Sequence, residues 1–107
     1  MKKLSEFKNE DGVRVIAKLL QPISRILMAM QGEKLEGRTA LEVIPLMLEK
    51  SPKDVVEIFA ILSETPVDEY ECNGASIMAN TLKLASDKEF MELFGLQSQT
   101  ETSSGSV

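Results

Sequence analysis

The 107-residue chain has no histidine and a single cysteine, Cys72. Without histidine there is no imidazole for acid–base work near neutral pH, and Ser or Thr nucleophiles lack a His base. One cysteine excludes an intramolecular disulfide, which suits a reducing cytosol. With no histidine beside it, almost nothing is left for a structural zinc site. Cys72 stands in an acidic stretch, which works against a thiolate, so it reads as a half-buried small apolar residue. No Gly-rich phosphate loop and no repeat occurs. Every apolar run is broken by a charge or a proline before it reaches bilayer length, so no membrane partner is expected. The opening MKKLSEFKNED has lysines but no apolar stretch behind it, and does not read as a signal peptide. No basic cluster is interleaved with aromatics, and nucleic acid is disfavoured as a partner. The expectation is a chain with no catalytic set, no metal and no cofactor.

What is present is helical periodicity, organised around residues 51–64, SPKDVVEIFAILSE. Ser51 is a preferred N-cap, Pro52 suits the first helical position, and Asp54 in the first turn favours the helix dipole. Val55, Ile58, Phe59 and Leu62 make one apolar face, which Val56, Ala60 and Ile61 widen, leaving a polar edge at Glu57. A helix apolar nearly all round is a buried helix. Upstream, Asp11 is placed to cap a helical segment over about 11–31, kinked at Pro22. Its expected inner face is Val13, Ile16, Ala17 and Leu20, resumed by Ile23, Ile26, Leu27 and Met30. Gly32 is a natural stop. Thr39 and Glu42 form a capping-box pattern before a helix with Leu41, Ile44, Met47 and Leu48, ending near Lys50.

Downstream, Thr65 and Pro66 stop the central helix, and Asp68, Glu69 and Glu71 around Tyr70 form an acidic surface turn. No Gly-centred loop of oxygen ligands accompanies them, so a solvated turn is expected rather than a Ca²⁺ site. Asn73 or Ser76 can cap a helix to about Ala85 carrying Ile77, Met78, Leu82 and Leu84. Ser86 with Glu89 can cap a last short helix anchored by Phe90, Leu93 and Phe94 and ended by Gly95. The fold class expected is all-α, a single compact domain over 1–96 with about five helices around a buried central helix. Residues 97–107 hold no apolar side chain before Val107 and are expected to be a disordered polar tail.

The net charge of −5 is unevenly placed. Residues 1–53 carry ten Lys/Arg and seven Asp/Glu, a net +3, while residues 54–107 carry two and ten, a net −8. Either the halves neutralise each other within one fold, or unlike ends meet between molecules. For the second case the candidate self-association residues are Arg14, Lys18 and Arg25 with Met28 and Met30, meeting Asp68, Glu69, Tyr70 and Glu71. Met28 and Met30 flank a helix end where one must point outward, and methionine is a common residue of adaptable binding surfaces.

Three stretches together resemble the small tail assembly chaperones of long-tailed, siphovirus-type phages or prophages of Gram-positive bacteria. They are DGVRVIAKLLQPISRIL, VIPLMLEKSPKDVVEIFAILSETPVDEYECN and KLASDKEFMELFGLQSQTETSSGSV, covering about 11–105. The most telling parts are the apolar helix followed by T-P-V-D-E-Y-E, and Phe90–Phe94 followed by a Gln/Ser/Thr tail. The resemblance implies an all-helical, non-enzymatic protein of the host bacterial cytoplasm, absent from the mature virion. It implies binding to the tape measure protein, whose long apolar helices it keeps in solution, and recruitment of the major tail protein, in such families through a longer frameshifted product. It also implies self-association into a ring or spiral. The competing class is a small helical phage-encoded adaptor or regulator that binds a host protein.

Overall fold

The computed structural model describes residues 1–34 and 37–95. The expected polar tail, 97–107, lies outside the described residues. Among the described residues the chain is all α, with no strand. Five helices follow in order: α1 Asn9–Ala29, α2 Ala40–Lys50, α3 Pro52–Leu62, α4 Gly74–Ser86 and α5 Lys88–Glu92. Two 3-10 turns, Leu4–Glu6 and Val67–Glu69, lie in the connections.

α3 is the centre, as its composition requires. It packs along α1, against α2 and against the 3-10 turn that follows it. Val55, Ile58, Phe59, Ala60 and Leu62 are buried, and Val56 and Ile61 are half-buried. Ser51 joins α2 to α3 without a loop: its N–H donates to the Met47 carbonyl at 2.8 Å and its carbonyl accepts from Val55 N–H at 3.1 Å. Ser51 stands at the N-cap as expected, but its hydroxyl makes no capping hydrogen bond, and Pro52 and the first-turn Asp54 supply the start signal. The Thr39 box does form. Its N–H and hydroxyl each donate to Glu42 Oε1 at 3.0 Å, and these bonds together with Arg38 hold the Glu42 carboxyl below the usual carboxylate range.

α1 corrects the expected inner face. It is one continuous helix through Pro22, which is itself buried. The buried residues are Val15, Leu19, Pro22, Ile23 and Ile26, with Met30 just beyond the helix. Val13, Ala17 and Leu20 face outward, Leu27 is exposed and Ile16 is half-buried. A break at Pro22 would have let the first half adopt its own phase. An unbroken helix has one phase, and that of Ile23 and Ile26 runs back through Leu19 to Val15. Asp11 is not the cap either, since the helix begins two residues earlier and Lys8 holds the N-cap position.

The other departures are at the far end. Asp87, not Ser86, caps α5, accepting Phe90 N–H on Oδ1 at 3.2 Å. Its Oδ2 accepts Leu4 N–H at 2.9 Å, so one buried carboxylate holds both α5 and the arm, residues 1–8. The arm is docked further by Lys2 N–H on the Leu62 carbonyl at 2.9 Å, and Met1, Leu4 and Phe7 pack on the core. It folds back so tightly over α1 that a Cβ on Gly12 would lie 3.1 Å from the Phe7 carbonyl oxygen. Met91, fully buried beside Phe90 and Phe94, is an α5 anchor that helix periodicity alone did not single out. In α4, Asn73 is the cap, accepting Ser76 N–H at 2.9 Å, while Met78 and Leu82 are exposed rather than core.

Candidate functional site

The residues proposed for self-association do not form one surface. Met30 is 1% exposed and belongs to the core, whereas Met28 is 73% exposed; of the pair, Met28 is the one that points outward. Arg25 is engaged within its own molecule. Its Nε lies 2.6 Å from Asp54 Oδ1 and its Nη2 lies 2.7 Å from Glu57 Oε1, so one guanidinium clamps two carboxylates of α3. The hydrogen bond to Asp54, with the charges of both carboxylates, raises the Arg25 pKa further despite partial burial. Arg14 is held by Asp11 at 3.1 Å and Glu10 at 4.0 Å on its own helix. Tyr70 is half-buried, and its hydroxyl accepts from Asn80 Nδ2 at 2.9 Å, tying the acidic turn to α4. Lys18, Asp68, Glu69 and Glu71 are exposed and make no ion pair among the described residues.

Three of the ion pairs cross the charge split. Arg25 joins residues 54 and 57, and Lys2 Nζ meets Glu64 Oε2 at 2.9 Å, which raises the Lys2 pKa. Neutralisation within the fold therefore accounts for part of the +3/−8 asymmetry. Lys18 also lines an open groove between α1 and the end of α3 together with Val67, the residue next to Asp68, so the basic and acidic candidates are not at opposite ends.

The more coherent feature is apolar. Val13, 71% exposed, shares one arc of α1 with Ala17, Leu20, Leu27 and Met28, about 100° wide at the helical repeat. The stripe runs about 22 Å along the helix at 1.5 Å per residue. It adjoins the core face through half-buried Ile16 and is bounded on its other edge by Arg14, Lys18, Gln21 and Arg25. A second outward apolar pair, Met78 and Leu82, lies one turn apart on α4, and Met78 is 67% exposed. Four residues of the stripe, Val13, Ala17, Leu20 and Leu27, belong to the inner face expected from the sequence and lie outside the core.

Among the described residues, no group of three or more His, Cys, Asp or Glu is placed to hold a metal ion. No helix there is long and apolar enough to cross a membrane. Cys72 is a free, half-buried thiol, as its setting suggested. The internal cavity under α4 is small, about 20 Å³, and is walled by Ile26, Ile44, Phe59, Thr81, Phe90 and Met91 among others. No family model, no curated protein and no solved structure matches the chain.

Proposed function

We propose that the chain is a non-enzymatic helix-binding protein, a tail assembly chaperone that covers the tape measure protein of a long-tailed phage while the tail tube is built. The observation that carries this reading is the outward apolar stripe of α1, Val13, Leu20, Leu27 and Met28, on a molecule whose core is already complete without it. Contiguous apolar side chains left outside a finished core mark a partner surface. Large side chains at positions 13, 20 and 27 fall one heptad apart, with small Ala17 and Ser24 between them. Such a seam takes a second helix by side-chain interdigitation. A long apolar helix of a tape measure protein is a ligand of that shape, and exposed Met28 adds an adaptable contact. The sequence resemblance points to the same partner.

In this reading the chain works in the host bacterial cytoplasm, does not enter the virion, and associates with further copies of itself. It brings in the major tail protein through a longer frameshifted form. The polar segment 97–107 would be the joint to that extension. The test is co-expression with the tape measure protein of the same phage, followed by affinity capture of the chaperone. Capture of a soluble complex supports the reading. Capture of a host protein instead, with the tape measure protein left behind, would favour an adaptor.

A further inference from the structure

The arm, residues 1–8, is fastened at two points that lie far from it in sequence. The first is the C-terminal end of α3. The carbonyls of Phe59, Ala60 and Ile61 are taken there by the N–H groups of Ser63, Thr65 and Glu64. The Leu62 carbonyl is taken by Lys2 N–H at 2.9 Å, so the arm completes the cap of the central helix. Lys2 Nζ meets Glu64 Oε2 at 2.9 Å just beyond, where a cation also suits the helix dipole. Glu64 stands at φ +57°, the helix-ending position that glycine usually fills, and its carboxylate is thereby brought to Lys2.

The second point is the start of α5. This helix has five residues, too few to persist by itself, and packs against α4 and the arm's 3-10 turn. Its first turn hangs on Asp87, whose Oδ1 accepts Phe90 N–H at 3.2 Å and whose carbonyl accepts Met91 N–H at 3.0 Å. Asp87 is 5% exposed, so Oδ2 depends on Leu4 N–H, at 2.9 Å, rather than on solvent. At its other end the arm joins α1 through Asn9, at φ +54°, a left-handed backbone that Asn tolerates better than most side chains.

Under α5 lie Ile26, Ile44 and Phe59, and Phe90, Met91 and Phe94 close over them, leaving the cavity of about 20 Å³. We propose that the arm and α5 form one lid, latched through Asp87, that opens as a unit from the rest of the fold. When the arm leaves, the buried Asp87 loses half of its hydrogen bonding and α5 loses its footing. When α5 leaves, the arm loses the partner of Leu4. Groups that share their supports in this way open together, at a lower cost than global unfolding. Opening turns out Phe90, Met91 and Phe94 and uncovers the cleft beneath them. That apolar surface is distinct from the α1 stripe and is hidden while the latch is closed. The inference is independent of tape measure binding.

The test is amide hydrogen exchange, followed by NMR, on wild type, Leu4→Pro, Leu4→Ala and Asp87→Asn. Proline deletes the Leu4 donor while suiting the first position of a helical turn, and Lys3 before it is already extended at ψ 153°. Alanine keeps the donor and loses only the apolar contact. In wild type the amides of Lys2, Leu4, Phe90, Met91 and Phe94 should share one protection class, at least about tenfold below that of Ile58 and Phe59. Leu4→Pro should speed exchange at Phe90, Met91 and Phe94 about tenfold beyond Leu4→Ala, as loss of a hydrogen bond to a charged group allows. Asp87→Asn should speed the arm and α5 together, because an amide has one oxygen and its Nδ2 would face one of the two donors. Arm and α5 amides in separate classes, or α5 amides as protected as Phe59, would overturn the lid on wild type alone. So would α5 exchange that is the same in Leu4→Pro and Leu4→Ala, or an effect of Asp87→Asn confined to one of the two segments.

Discussion

Arg25 and Asp54 meet at 2.6 Å across the α1–α3 packing, and the same guanidinium reaches Glu57 one turn on. This contact ties the basic half of the sequence to the acidic half inside one molecule. It also completes the polar edge of a helix that is otherwise apolar all round. Arg25→Ala leaves two partly buried carboxylates facing α1 without their cation, so it should lower the melting temperature clearly at low salt. Arg14→Ala, whose partners lie exposed on its own helix, should change it little. Thermal denaturation at low and high ionic strength checks both. Equal effects of the two variants would mean that the Arg25 clamp contributes no more than a surface pair.

Glu42 gives the pH dependence its sign. Its carboxyl is held below its ordinary value by the Thr39 N–H and hydroxyl and by Arg38. A group depressed on folding contributes stability that is fully present above its unfolded pKa of about 4.3 and is lost as pH falls through the lower folded value. Glu42→Gln keeps the shape and the acceptor but not the charge. The melting temperature of wild type should exceed that of Glu42→Gln at pH 7, and the gap should close on acidification below about pH 4. A gap that persists unchanged into strong acid would show that charge at Glu42 is not what stabilises the box.

Thr81 Oγ1 is buried without a hydrogen-bond partner among the described residues, beside the small apolar cavity between α4 and the core. An orphaned hydroxyl loses its hydration and gains nothing in return. Thr81→Val replaces it with a methyl of the same shape. The variant should be more stable by about 1 kcal/mol in urea denaturation. A loss of stability would mean that the hydroxyl is satisfied in solution.

Phe59 is fully buried at the middle of α3, where α1, α2 and the Phe90–Phe94 pair converge. Phe59→Ala should cost about 3–5 kcal/mol, the usual loss for a large buried aromatic. A cost below about 1 kcal/mol would be incompatible with a core centred on α3.

The parts legible in the sequence were those set by local chemistry. Pro52, the Thr39–Glu42 box, Asn73 and Gly32 all act within a turn of where they stand. Gly32, at φ +98°, adopts the backbone its lack of a side chain permits. The buried α3 was legible because no orientation would expose it. What failed depended on distant partners. The phase of α1 is set by packing on α3, and a sequence with two adjoining apolar arcs does not say which one is covered. Asp87 outranks Ser86 as a cap because its second oxygen also takes Leu4 N–H from 83 positions away. Arg25 reads as free for an intermolecular contact because nothing local shows that Asp54 and Glu57 lie across from it. Asn80 reads as a stray polar residue on α4 until Tyr70 is brought against it.

The central claim is that the α1 stripe holds an apolar partner helix. It is tested most directly by co-expressing the tape measure protein with wild type and with Leu20→Lys/Leu27→Lys, and measuring the soluble fraction of the tape measure protein. Both positions are exposed, so the variant should fold with a near-unchanged melting temperature. The account predicts that wild type keeps the tape measure protein soluble and co-elutes with it, while the folded double-lysine variant leaves it in the pellet. A tape measure protein that is equally soluble with either chain, or with neither, would contradict it.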